Sequence, residues 1–302
     1  MKLNTKDFLT FDELSEKEVF QIIELGIKLK KQKGNSKPLL KNKTLAMIFE
    51  KPSTRTRVSF EAGMHQLGGH ALNLSSNKLQ LSRGESIEDT AKTLSGYVDA
   101  IMARVYDHKT LDLLAENSKV PVINGLSNSF HPCQTLADLM TLKEKKKKLK
   151  GLKVAWIGDG NNVCNSLLYG CSKVGINVAV ATPKGFEPDS KVVQKCKKRI
   201  KLEILNDPKK AVKNADAVMT DTFTSIHNSD KKRIKKFLPK FQVNSALMKQ
   251  AKKNAIFLHC LPAKRGLEVT SSVIDGPQSV VWDEAENRLH SQKALLVSLL
   301  GI

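Results

Sequence analysis

The sequence predicts an α/β protein of two domains, each a parallel sheet flanked by helices. Short apolar runs of strand length alternate with amphipathic segments, which is the pattern of strand–helix–strand units. The alternation is interrupted once, by the lysine-rich residues 143–148, and then restarts. A length of 302 residues also corresponds to two domains, at about 150 residues each.

The first half contains four predicted strands. Ser15-Glu-Lys-Glu18 is a capping box that opens a helix extending to about Lys33. A helix begins after Ser53 and is stopped by Gly68-Gly69. Two more helices are expected at 86–97 and 109–117, and a polar loop at 75–85. The predicted strands are 44–49, 71–74, 100–105 and 121–124.

The second half repeats the alternation after the lysine-rich run. Helices are predicted at 162–174, 191–198, from Pro208, and at 284–300. The predicted strands are 153–157, 178–182, 202–205, 217–220, 256–258 and 280–282.

Composition excludes several classes of protein. Hydrophobic residues make up 40% of the chain, but none of their runs approaches the length that spans a bilayer. The first eighteen residues mix lysine with acidic residues, unlike a secretory or transit peptide. Five cysteines without a CxxC pair predict neither a disulfide framework nor a cysteine zinc site. We therefore expect a soluble cytoplasmic protein that does not act at a membrane.

The charge balance leaves more than one interpretation open. Fifty basic residues against thirty acidic ones give a net charge of +20. Such an excess raises a nucleic-acid-binding protein as an alternative, with binding that vanishes at physiological salt marking it as nonspecific. Because the lysines are scattered and no known nucleic-acid motif is present, a solvated basic surface without a specific nucleic-acid partner is favoured. A small anionic substrate is compatible with either interpretation.

Unusual polar residues follow the predicted strands. Since ligands of open parallel sheets bind at the carboxyl ends of strands, these segments are the candidate site. They are 52–57, 105–108, 126–134, 158–162, 221–227 and 259–262.

Ser53-Thr-Arg-Thr-Arg57 predicts a phosphate site. Ser53 is placed to cap the helix, so free backbone N–H groups, hydroxyls and two guanidiniums converge at its positive end. Two arginines in a first helical turn oppose the helix dipole unless an anion compensates them.

Other segments are ambiguous when each is taken alone. Gly158-Asp-Gly-Asn-Asn162 partly matches a dinucleotide fingerprint, which raises a nicotinamide-dependent oxidoreductase as a second alternative. Val163 stands at the third glycine, and no acidic residue ends the next strand, so this alternative is disfavoured. Single residues such as Arg104, His131 and Cys260 are as often structural as functional.

Three motifs together resemble a known family. Ser53-Thr-Arg-Thr-Arg57 with His131-Pro-Cys-Gln134 is similar to the carbamoyltransferases, which use carbamoyl phosphate. His259-Cys-Leu-Pro262 resembles the ornithine branch of that family, because the aspartate branch carries proline where Cys260 stands.

The resemblance implies carbamoyl transfer from carbamoyl phosphate to the δ-amine of ornithine, in arginine biosynthesis or a urea-cycle-type step, without a metal or other cofactor. It assigns Arg104, His131 and Cys260 to catalysis. Gln80 would reach the site of a neighbouring subunit in a homotrimer. The implied carbamoyl-phosphate site comprises Ser53, Thr54, Arg55, Thr56, Gln80, Arg104, His131, Gln134, Cys260, Leu261 and Arg288. The implied ornithine site comprises Asn162, Asp221, Ser225 and Ile226, with Cys260 and Leu261 beside the reacting amine.

The resemblance also implies that the last helix packs back on the first domain. The expected domains are therefore 1–143 with 284–302 for carbamoyl phosphate, and 151–283 for ornithine.

One departure from the family pattern bears on the acceptor. The family usually reads Ser-Met-Gly where this chain reads Ser225-Ile-His227. An α-amino acid remains the expected acceptor because Asp221 and Ser225 are retained. The alternative within the enzyme class is carbamoyl transfer to another amine, such as putrescine or lysine.

Overall fold

The computed structural model describes residues 3–32, 37–224 and 231–302. The chain divides into two compact units, Met1–Met140 with Glu286–Ile302, and Thr141–Ala285. Across the described ranges, every helix is too short or too polar to cross a membrane.

The first unit is built on a four-stranded parallel sheet. The strand order is β2-β1-β3-β4, with β1, β3 and β4 buried along almost their whole length. The strands are β1 (Thr44–Phe49), β2 (His70–Ser75), β3 (Ala100–Arg104) and β4 (Val122–Leu126). The helices are α1 (Glu16–Lys31), α2 (Thr54–Gln66), α3 (Ile87–Ser95), α4 (His108–Asn117) and α5 (Pro132–Lys146), which continues into the second unit.

The second unit is built on a five-stranded parallel sheet of order β7-β6-β5-β8-β9. Its core includes Phe223, Phe237 and Phe241, the first two with stacked rings. The strands are β5 (Lys153–Ile157), β6 (Asn177–Ala181), β7 (Leu202–Leu205), β8 (Ala217–Thr220) and β9 (Ile256–His259). The helices are α6 (Asn162–Val174), α7 (Ser190–Lys197), α8 (Pro208–Val212), α9 (Ile234–Phe237), α10 (Ser245–Met248) and α11 (Ser271–Ile274). The last helix, α12 (Val281–Leu299), begins in this unit and continues into the first.

The predicted fold class is confirmed, and so is the return of the last helix. Residues from Glu286 onward belong to the first unit, where α12 packs. The buried Lys293 side chain of α12 donates a hydrogen bond to Gln66 Oε1 at the end of α2, with an Nζ–Oε1 distance of 2.9 Å.

Local capping signals are also confirmed. Ser15 Oγ accepts a hydrogen bond from Glu18 N–H, and a Glu18 carboxylate oxygen accepts one from Ser15 N–H, at 3.3 and 2.8 Å. These two bonds are the reciprocal pair of a capping box.

The strand predicted at 280–282 is wrong. Val281 and Trp282 form the first turn of α12, and only Ser279 bridges to Phe257 of β9. The two valines have the composition of a strand, but Asp283 and Glu284 in the same turn favour a helix N-terminus. The apolar run therefore starts the helix three residues before the predicted position.

Two further differences concern short elements. The predicted loop at 75–85 contains two 3₁₀ turns, Ser76–Lys78 and Gln80–Arg83. Helices α9, α10 and α11 were not predicted, because four residues make about one turn and show no periodicity.

Candidate active site

The N-terminus of α2 carries the predicted phosphate-binding segment. Ser53 is the N-cap, and its hydroxyl oxygen accepts a hydrogen bond from Thr56 N–H at 3.3 Å. Thr56 is buried and Arg55 half-buried, and the first turn contains no acidic residue. Arg57 points along the exposed face, where it pairs with Glu61 at 3.3 Å. This helix end therefore presents positive charge that its own first turn does not neutralise.

Arg288 of α12 is joined to this helix end. Arg288 is 3% exposed, and its guanidinium donates from Nη2 to the hydroxyl of Thr56 at 3.4 Å. Its Nη1 donates to Gln134 Oε1 of α5 at 2.8 Å. Gln134 Nε2 in turn donates to Asp138 Oδ1 at 2.9 Å. Three helices that are distant in sequence thus meet through one buried arginine.

His131 is a neutral imidazole within the same group. Burial holds its pKa well below the usual 6.5, and the charges of Arg288, Arg104 and Arg55 lower it further. The structure therefore brings these three arginines and His131 together. A neutral histidine among cationic side chains is suited to polarising a substrate carbonyl group without carrying charge itself.

Arg104 ends β3 and is 9% exposed. The pairing of β3 with β4 is irregular between Ala103 and Arg104, so the strand changes register at the point where the arginine leaves the sheet. The carbonyl of Arg104 accepts a hydrogen bond from Glu50 N–H at 3.0 Å, which fixes the adjacent end of β1.

A cavity of about 590 Å³ lies beside the end of β1. Ser53 and Thr54 line it, together with Lys51, which the sequence analysis did not single out. Lys51 is 3% exposed, and its ammonium lies 3.4 Å from the centroid of the Tyr106 ring. Burial, and secondarily the charge of Arg104, lowers the pKa of Lys51. Among fifty basic residues, nothing in the sequence distinguishes this lysine.

Gln80 stands apart from the other predicted residues of the first unit. It begins the second 3₁₀ turn and is exposed. The hydrogen bonds and charge interactions that connect Arg55, His131 and Arg288 do not include it.

Asp221, one of the predicted ornithine-binding residues, lies in a hydrogen-bonded cluster of the second unit. Its carboxylate accepts hydrogen bonds from Asn161 Nδ2 and Thr222 N–H, both at 2.7 Å. It also accepts one from the thiol of Cys260 at 3.2 Å, so the residues that directly follow β8 and β9 are in contact. Asn162 is the first residue of α6 and is buried. It follows Asn161 directly in the sequence.

The turn after β9 fixes the position of Cys260 and Leu261. His259 Nδ1 accepts a hydrogen bond from Leu261 N–H at 2.9 Å. The proton of the neutral ring therefore lies on Nε2, which donates to Glu268 Oε1 at 3.2 Å. Leu261 has a φ of 55°, a left-handed conformation that is uncommon for leucine.

Asp221, His259 and Cys260 also form a group of possible metal ligands, with one ligand atom from each within 4.8 Å of the others. Both ring nitrogens of His259 are already hydrogen-bonded, to Leu261 N–H and to Glu268. The imidazole would have to break one of these bonds to bind a metal ion, so the arrangement does not fit a metal centre.

The glycine-rich turn 158–162 is shaped by packing. A Cβ atom at Gly160 would lie 2.2 Å from the backbone nitrogen of Pro188. The close approach of the Pro188 backbone therefore explains why a glycine stands at position 160, without a requirement for dinucleotide binding. Asp159 in the same turn forms an ion pair with Arg233 at 2.6 Å, and burial raises the pKa of Asp159 to about 6.

Ser225, Ile226 and His227 lie outside the described residues.

Known proteins match the chain along its whole length. The family model for the aspartate/ornithine carbamoyltransferase carbamoyl-P binding domain matches residues 6–144. The model for the Asp/Orn binding domain matches residues 150–299. The chain belongs to the aspartate/ornithine carbamoyltransferase family. The resemblance drawn from three sequence motifs is thus confirmed.

Individual members of the family are close relatives. The ornithine carbamoyltransferase of Cenarchaeum symbiosum is 62% identical over 99% of both chains. That of Pyrococcus abyssi is 54% identical over 100% of this chain and 98% of its own. The structure of ornithine carbamoyltransferase from Pyrococcus furiosus superposes with a TM-score of 0.93, at 53% identity, over 98% of this chain and 97% of that one.

Proposed function

We propose that this chain transfers the carbamoyl group of carbamoyl phosphate to the δ-amine of L-ornithine, giving L-citrulline and phosphate. The observation that carries the proposal is the gathering of Arg55, Arg104 and Arg288 around the neutral His131, next to a capped helix N-terminus. Such a site suits a substrate with a phosphate at one end and a carbonyl at the other. Relatives above 50% identity over nearly the full length are named ornithine carbamoyltransferase.

The phosphate would be held at the N-terminus of α2. Ser53, Thr54, Arg55 and Thr56 contribute backbone N–H groups, hydroxyls and one guanidinium. Arg288 supplies a second cation, itself buried, which Gln134 and Thr56 hold in place. Charge-assisted hydrogen bonds of this kind stabilise the phosphate as it departs and gains negative charge.

The carbamoyl carbonyl would lie against His131, Gln134 and Arg104. Attack by an amine builds negative charge on the carbonyl oxygen, and preorganised donors stabilise that charge. A histidine whose pKa lies well below 6.5 remains neutral at physiological pH, so it acts there as a hydrogen-bond donor or acceptor.

Ornithine would bind in the second unit through Asn162, Asp221 and Ser225, with Ile226 against its side chain. The Asp221 carboxylate is suited to an α-ammonium group, and Cys260 and Leu261 would border the reacting amine. A free alkylamine has a pKa near 10, so the attacking δ-amine must be bound in its neutral form. Its nitrogen bonds to the carbamoyl carbon, the bond from that carbon to the phosphate oxygen breaks, and the departing phosphate accepts the amine proton.

We further propose a homotrimer in which Gln80 reaches a neighbouring subunit's site. The exposure of Gln80 on a short turn, away from the interactions around His131, supports this assignment. The name of one Pyrococcus furiosus relative, anabolic ornithine carbamoyltransferase, supports a role in arginine biosynthesis. The five free cysteine thiols suit a reducing cytoplasm.

The experiment is a product analysis with purified protein, carbamoyl phosphate and L-ornithine. We expect citrulline and phosphate in a ratio of one to one. Phosphate release that does not depend on ornithine, without citrulline, would contradict the proposal.

A further inference from the structure

Gln292 of α12 links Arg288 to the helix that carries the proposed phosphate site. Its side chain is fully buried. Gln292 Oε1 accepts a hydrogen bond from Arg288 Nε at 3.0 Å, and Gln292 Nε2 donates one to Ser59 Oγ at 2.7 Å. The amide oxygen therefore binds Arg288, and the amide nitrogen binds α2.

The link closes into a ring. Ser59 Oγ donates to the carbonyl of Thr56 one turn earlier in α2, at 3.2 Å. Arg288 Nη2 donates to the hydroxyl of the same Thr56 at 3.4 Å. Thr56, Ser59, Gln292 and Arg288 are thus connected in a circle that joins α12 to the first two turns of α2.

We propose that Gln292 is a positioning residue that sets the orientation of the Arg288 guanidinium towards the phosphate. The inference rests on the proposed function. An arginine side chain has many rotamers, and one bond leaves its planar head free to rotate. Bonds from Nε to Gln292 and from Nη1 to Gln134 define both its position and its plane. An Arg288 oriented before substrate arrives loses less conformational entropy on binding.

The experiment compares Gln292→Leu with a matched control. Leucine removes both hydrogen bonds of Gln292 and replaces the amide with an apolar group of similar size. The control is Lys293→Met on the next residue of α12. Lys293 is also fully buried and also bonds to α2, but through Gln66, at the opposite end of that helix from Thr56. Both variants therefore lose a polar bridge between α12 and α2, and only one of them touches Arg288.

Two further variants separate positioning from packing. Gln292→Glu keeps an acceptor for Arg288 Nε, so it should restore part of the phosphate affinity that Gln292→Leu loses. Ser59→Ala removes the other end of the link and leaves Gln292 in place. The readouts are the Kd of inorganic phosphate by titration calorimetry, the kcat and both KM values for carbamoyl transfer, and the Tm.

For Gln292→Leu we expect the Kd of phosphate and the KM for carbamoyl phosphate to rise about tenfold, which corresponds to about 1.4 kcal/mol. The KM for ornithine should stay within about twofold. Lys293→Met should lower the Tm but leave both phosphate measurements unchanged. Ser59→Ala should also raise the Kd of phosphate. If Gln292→Leu does not fold, the Kd of Ser59→Ala tests the positioning role of Gln292.

Two results would overturn the positioning role. One is normal phosphate affinity in folded Gln292→Leu, or in Ser59→Ala if the leucine variant does not fold. The other is equal weakening by Lys293→Met, which would mean that any loss at this helix contact has the same effect. A wild-type protein that binds phosphate but forms no citrulline would refute the proposed function alone, because the Kd comparison still tests Gln292. A wild type that does not bind phosphate would refute the site and the inference together.

Discussion

Acidification should destabilise this protein through His131. Burial and three neighbouring arginines, Arg288, Arg104 and Arg55, keep the pKa of His131 well below 6.5 in the folded chain. In the unfolded chain the same histidine binds a proton below about pH 6.5. The unfolded state therefore holds more protons than the folded state at acidic pH, and protons shift the equilibrium towards unfolding.

The magnitude follows from proton linkage. Well above pH 6.5 both states are largely deprotonated at this site, and His131 contributes little pH dependence. Between pH 6.5 and the lower pKa of the folded state, each pH unit costs up to about 1.4 kcal/mol of unfolding free energy. Between pH 7.5 and 5.5 the loss from this one group is therefore at most about 1.4 kcal/mol.

The assay is urea unfolding of the wild type and of His131→Gln at pH 7.5 and 5.5, at one protein concentration. Glutamine does not titrate between these pH values, so the variant does not lose this part of its unfolding free energy on acidification. His108 and His290, whose pKa values burial also lowers, titrate in both proteins and cancel in the comparison. Equal pH dependence in the two proteins would refute the assignment of a neutral, buried His131.

Two further predictions concern the proposed carbamoyl-phosphate site. Arg55→Ala should lower kcat/KM by at least about 10²–10³, because one charge-assisted contact in a transition state is worth roughly 2–4 kcal/mol. Its Tm should change little since Arg55 is only half-buried, and near-normal turnover would remove residues 53–57 from the site. Inactive Gln80→Ala and Arg55→Ala chains, unfolded and reassembled together, should regain part of the activity because some sites in a mixed trimer receive both intact residues. No recovery, with mixed trimers shown to form, would mean that Gln80 acts within its own chain.

Most of the fold follows from local patterns in the sequence. The bounds of β1, β5, β7 and β8 match their predicted ranges, because each is a short, mostly apolar segment followed by a polar or glycine residue. The capping residues Ser15 and Ser53 were predicted because the side chain that caps a helix is adjacent to it in sequence.

The errors occurred where local patterns compete or are too short. Val280-Val281-Trp282 has the composition of a strand, yet Val281 and Trp282 lie in the first turn of a helix, which the acidic residues that follow favour. One-turn helices such as α10 have a cap, Asn244, but no repeating apolar face that predicts them.

The sequence did not single out Lys51 or Gln292, because only tertiary contacts show where these two residues lie. Arg104 ends a strand and His131 lies shortly after one, so the sequence analysis could single out both positions. Gln292 lies inside a long helix and Lys51 is one of fifty basic residues, so only the contacts with Arg288 and Tyr106 reveal them. Hydrogen bonds between α12 and α2 join residues more than two hundred positions apart, which no local pattern shows.

The central claim is that the acceptor is L-ornithine, and kcat/KM for ornithine, lysine and putrescine on one preparation tests it most directly. Putrescine lacks the α-carboxylate. The polar groups proposed to bind that carboxylate would be left unsatisfied, which costs about 1–3 kcal/mol of binding free energy for each group. Lysine adds one methylene, which a fitted pocket rejects by about 1–3 kcal/mol. We predict that ornithine exceeds putrescine by at least about tenfold and also exceeds lysine. Equal values for ornithine and either competitor would contradict the assignment of Asp221 and Ser225, or would show that Ile226 has changed the acceptor.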